Sequence, residues 1–154
     1  MALNLDYEGR SYPPGPVYEV GVEKLREFAR AIGDTNPAYH DAAAARALGH
    51  SDVVAPATFV MSITMAATGA VIGDPGLGLD YTRVVHGEQR FAYTRPLMAG
   101  DKVRVAVTLE SLRVAAGNDM VTARCDVTDE HGDHVVTTWG TLVARGTGAK
   151  EEQS

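Results

Sequence analysis

The stretch VVAPATFVMSITMAATGAVIG, residues 53–73, contains no charged side chain. It is long enough to cross a bilayer. However, Pro56, Gly69 and a row of Thr and Ser interrupt it, and it has no flanking aromatic belt or adjacent Lys/Arg anchors. A helix enclosed by a folded domain accounts for it better. Such a helix starts near Pro56, since proline is tolerated in a first turn, and ends around Gly73. The rest of the chain must then supply its cover.

Downstream, the hydrophobic period changes from helical to two. Val103, Val105, Val107 and Leu109 alternate with Lys102, Arg104, Ala106 and Thr108, and Val121, Ala123, Cys125 and Val127 alternate with Thr122, Arg124, Asp126 and Thr128. With VVHGEQRFAYTRP before them and HVVTTWGTLVAR after, these are long strands, each with one buried face. The joins AGN (116–118) and DEHGD (129–133) are short and rich in turn formers, so the strands pair antiparallel as hairpins. A twisted sheet with one apolar face has to bury it, and the helix after Pro56 has no polar side to expose. The fold class expected is therefore α+β, a long antiparallel sheet wrapped around a central helix in the hot-dog manner.

Upstream, residues 1–20 read as irregular, and YPPGP at 12–16 cannot enter a helix or a central strand. Leu25, Phe28, Ala29 and Ile32 recur at helical spacing from Val22 to Gly33, and DAAAARALG (41–49) makes a short second helix. The 154 residues suit one domain, with its core at about 17–145 and a loose tail at 146–154.

A net charge of -6 without a basic stripe disfavours nucleic acid. The early acidic residues of MALNLDYEGR exclude a signal peptide, and with no membrane span the chain is expected to be cytoplasmic. The single cysteine, Cys125, permits no intrachain disulfide framework and reads as core filler. No His pair has ligand spacing with a carboxylate, so no metal site is expected. DPGLGLD lacks the strand–helix context of a nucleotide loop. His50, His131 and His134 fall in turns, as solvated positions. Tyr81, Tyr93, Met61 and Met65 read as core or tunnel wall.

Between the first two helices lies GDTNPAYHD, residues 33–41. With VVAPATF, VVHGEQRFAYTRPLMAGD and the final TLVARG, it makes the chain resemble the MaoC-like hot-dog family over Val17 to Arg145. That family comprises (R)-specific enoyl-CoA hydratases and (3R)-hydroxyacyl-ACP dehydratases, and the resemblance is nearest to its small single-hot-dog members.

The resemblance implies a hydro-lyase acting across C2–C3 of an acyl thioester, whose CoA or ACP pantetheine arrives with the substrate, so no stored cofactor is needed. Asp34 and His40 would be the acid/base pair around a water, with Asn36 beside them. Ala57 and Thr58, at the helix start, would donate to the thioester oxygen. His86 and Gly87 are candidate substrate contacts, although a satisfied half-buried histidine reads equally well. In the family the His follows the Asp by five residues; here that position is Tyr39, and His40 comes one later.

Three roles stay open for the loop: a catalytic pair, a partner subunit in which Tyr39 faces substrate, or a simple capping turn. The resemblance also implies pairing through a strand edge, as a homodimer or as a heterodimer with a second hot-dog subunit. A non-catalytic acyl-CoA- or acyl-ACP-binding scaffold is the alternative.

Overall fold

A computed structural model describes residues 2–148. The alternation sets out four long strands: β3 (Val84–Tyr93), β4 (Lys102–Ala115), β5 (Asn118–Asp129) and β6 (His134–Ala144). Residues 103, 105, 107 and 109 of β4 are buried, as are 119, 121, 123, 125 and 127 of β5, so one face of the sheet is the core face. The β4–β5 hairpin turns on Ala116 and Gly117, both with positive φ (51° and 73°). That backbone matches the right-handed strand twist. All pairings are antiparallel, and β3 crosses to the far edge, beside β6 rather than β4. Register slips at His86/Glu88 and Leu109/Ser111 bend the sheet.

The first twenty residues are more ordered than their composition suggests. β1 (Ser11–Tyr12) and β2 (Tyr18–Glu19) pair with the outer edge of β4. Leu3 is buried with the core. The prolines between β1 and β2 are accommodated because an edge strand can do without some N–H donors.

Three helices complete the layer: α1 (Val22–Ala31), α2 (Ala42–Ala47) and α3 (Met61–Ile72). Asp41 caps α2, its carboxylate accepting from the N–H of Ala43 and Ala44. α3 is the uncharged rod, but it starts at Met61, not near Pro56. Pro56 instead opens a turn in which Phe59 N–H donates to the Pro56 carbonyl and Met61 N–H to Thr58. Phe59, fully buried, meets Phe28 of α1 edge-on at 5.4 Å, which locks that turn against α1.

The sheet covers only part of the rod. Ile63, Thr64, Val71 and Ile72 are buried, whereas Ser62, Met65, Ala66, Gly69 and Ala70 are exposed, Met65 at 59%. Residues 146–148 are not loose: Gly146 N–H donates to Asn118 Oδ1 and Gly148 N–H to the Gly117 carbonyl. The remainder of the expected tail lies outside the described residues.

Candidate active site

Residues 33–41 are held by bonds to themselves and to α1. Asp34 Oδ1 accepts the Asn36 N–H at 3.0 Å, and Asn36 Oδ1 accepts the Ala38 N–H, capping a single 3-10 turn at Pro37–Tyr39. That turn absorbs the additional residue before His40 and swings its ring back toward Asp34. The ring meets the backbone rather than the carboxylate, with Nε2 lying 2.9 Å from the Asp34 carbonyl oxygen. A carbonyl only accepts, so the proton is on Nε2. Arg26 Nε donates to the His40 carbonyl at 2.8 Å, fixing the loop against α1.

The candidate residues do not gather in one place. Asn36, Tyr39 and Ala57 line a groove of about 390 Å³, together with His50, Tyr93 and Arg95. Asp34, His40 and Thr58 are not part of its lining. His86 belongs to a separate, narrower space between α3 and β3, β5 and β6, beside Gln89, Thr68 and Cys125. There its Nε2 bonds the Glu88 carbonyl and Gln89 Oε1, at 3.0 and 3.1 Å. Gly87 lies at the register slip, where a Cβ would come 3.0 Å from Val143 Cγ2 and crowd the bulge.

Helix geometry shifts the expected thioester-oxygen donors. Ala57 and Thr58 sit in the turn before α3, and among the described residues neither N–H donates to a backbone carbonyl. Both residues are exposed, and both precede the Val60 cap of α3. The Tyr93 hydroxyl donates to the Ala57 carbonyl, orienting that peptide over the groove. Burial pushes the Tyr93 phenol up to about 12, so it stays a neutral donor.

Two constellations had no simple signal in the sequence. Arg95 forms a fork with Asp101 (2.8 and 3.2 Å) and reaches Asp129 at 3.3 Å, tying the RPLMAGD turn to the β5–β6 turn. The recurrence of Arg and Asp around that turn was its only clue. His134 is exposed, as expected, and has both ring nitrogens engaged. Thr94 Oγ1 lies 2.6 Å from Nδ1, and Nε2 lies 2.8 Å from Thr137 Oγ1. Thr137 in turn donates to Asp126. His50, also placed among the solvated turns, is half-buried in the groove wall.

A third space, of about 500 Å³, lies between the N-terminal arm, α3 and β4, on the side of the rod away from His86. α3 is thus a shared wall, giving Thr64, Thr68 and Gly69 to one side and Ile63, Ala67 and Val71 to the other. Tyr12 Oη, on the arm, is shielded from solvent and has no hydrogen-bond partner among the described residues. Such an orphan costs about 1–3 kcal/mol. Among the described residues, no cluster of three or more His, Cys, Asp or Glu side chains is placed to hold a metal, and no helix is long and apolar enough to cross a membrane.

A bent antiparallel sheet around a central helix, with a GDxNP loop at the entry of that helix, defines the class of MaoC-like hot-dog dehydratases and hydratases. The comparisons agree. Residues 8–138 match the family model described as FAS1-like, dehydratase domain region, and the chain belongs to that family. It is 61% identical over 145 residues to a UPF0336 protein of Streptomyces coelicolor, covering 94% of this chain and 97% of that one.

Among solved structures, it is similar to a MaoC-like dehydratase, with 38% identity and a TM-score of 0.84 over 90% of this chain. The chain spans 42% of that protein's length. It is also similar to the truncated HadBC complex, a (3R)-hydroxyacyl-ACP dehydratase of Mycobacterium tuberculosis, with 32% identity and a TM-score of 0.81, covering 90% of this chain and 97% of that one.

Proposed function

We propose that this chain is the partner subunit of a (3R)-hydroxyacyl-thioester dehydratase, or (R)-specific enoyl-thioester hydratase, completed by a second hot-dog subunit. One observation carries this reading: the Asp34 carboxylate is bonded to its own loop, the His40 ring rests on a backbone carbonyl, and Tyr39 takes the groove position. An acid/base pair has to share one water near C2 and C3 of the substrate. Here the two groups face neither each other's reactive atoms nor the groove.

What this chain supplies is a wall and donors. The free N–H groups of Ala57 and Thr58 are suited to the negative charge that builds on a thioester oxygen. Tyr39 and Asn36 are suited to orienting the carrier or acyl head. The similarity to HadBC, itself a two-component dehydratase, supports a heteromer.

Loss of enoyl absorbance from crotonyl-CoA tests the reading. The purified chain should bind the thioester yet show no turnover, and Asp34→Asn should leave that binding unchanged. Turnover by the chain alone that Asp34→Asn abolishes would make it an autonomous hydratase and overturn the proposal. Binding without turnover in any hot-dog mixture would favour a scaffold instead.

A further inference from the structure

The space beneath the N-terminal arm has two fixed ends. Tyr12 pairs with Val107 and Tyr18 with Val103, so the two tyrosines stand four β4 residues apart, about 13 Å. Opposite them, Ile63 and Val71 are eight residues apart on α3, about 12 Å along its axis. The Ile63 end adjoins the turn that presents Ala57 and Thr58. At the other end Tyr12 is close enough to Asp74, beyond the C-terminus of α3, for that charge to bear on its phenol. An acyl chain lying in this space along α3 would finish against Tyr12.

Its walls are alkyl: Ile63, Ala67, Val71, Val103 and Val105. Against such walls a phenylalanine would fill position 12 as well as a tyrosine does, without an unpaired hydroxyl. Tyr12 is also held in place. The Arg10 guanidinium lies over both the Tyr7 ring (4.5 Å) and the Tyr12 ring (5.3 Å), so the hydroxyl cannot easily swing outward to water. Burial raises the Tyr12 phenol above its ordinary value, which keeps it a donor.

We propose that the Tyr12 hydroxyl reads an oxygen on the distal part of the acyl chain, so that the substrates of this subunit are acyl thioesters bearing a hydroxyl or carbonyl remote from the thioester. The inference rests on the acyl-thioester reading above, and it assigns the far end of that ligand rather than its reacting end.

Calorimetric titration with CoA thioesters of one chain length tests it, using the plain chain and versions with a hydroxyl moved carbon by carbon along the distal half. One hydroxyl position should bind about ten-fold tighter than the plain chain, the equivalent of one neutral hydrogen bond. Tyr12→Phe should erase that preference while binding the plain chain at least as well, and should unfold in urea at the same midpoint or higher. The inference is overturned if no hydroxyl position is preferred, if the preference survives in Tyr12→Phe, or if Tyr12→Phe lowers the urea midpoint, which would reveal a protein partner for the hydroxyl. Failure of every thioester to bind would instead remove the acyl-thioester reading on which it stands.

Discussion

At position 39 a phenol occupies the place where a MaoC-like hydratase motif carries its imidazole, and the neighbouring histidine is turned onto a peptide carbonyl. The loop was legible up to that point, because Gly, Asp, Asn and Pro each impose a local geometry that spacing reveals. The destination of the His40 ring was not legible. It depends on a 3-10 turn and on Arg26, fourteen positions upstream, docking on the His40 carbonyl.

Tyr93 went unrecognised as a site residue for a similar reason: its partner is a peptide carbonyl 36 residues away, which no motif encodes. Its phenol, raised to about 12 by burial, stabilises the fold fully below the ordinary tyrosine range and loses that contribution as pH climbs toward 12. In an ultraviolet titration of the six tyrosines, a step near 12 should be present and should vanish in Tyr93→Phe, leaving the smaller upward shift of Tyr12 in place.

Among elements, the strands were the easiest to foresee and the rod the hardest to bound. Alternation survives in β4 and β5 because each has one wet face and one dry face. The start of α3 was misplaced because Pro56 suits a helix first turn as well as it suits the turn it makes here. Burial of Phe59 against Phe28 favours the second. Residues 1–20 hid two short strands, since two-residue pairings with an edge leave no periodicity to read.

Gly69 gives a test at this scale. It lies on the uncovered side of α3, and a Cβ there would meet nothing within 4 Å. Gly69→Ala should therefore stabilise the isolated chain by about 0.5–1 kcal/mol in urea unfolding, through helix propensity alone. If that face packs closely against another subunit, the same substitution should weaken assembly in analytical ultracentrifugation.

For the whole molecule, the Arg95–Asp129 contact between two turns is one contribution to stability that acid removes. Desolvation would raise the Asp129 carboxyl, but the N–H groups of Asp133 and His131 and the Arg95 guanidinium outweigh it, leaving its pKa below the ordinary aspartate value. A depressed carboxyl contributes stability above its unfolded pKa, and this contribution is lost as pH falls through the folded one. Asp129→Asn should therefore lower the melting temperature near neutrality and flatten the decline below about pH 4. An equal loss at every pH would show that the ion pair is not responsible.

Because one rod separates the Tyr12 space from the His86 space, nothing can settle on its bare flank without touching the boundary of both. Where a second subunit settles there and an acyl group fills either space, the two events are thermodynamically reciprocal: whatever factor the first adds to the affinity for the second, the second returns. A titration of one at several concentrations of the other would read that shared factor and its sign.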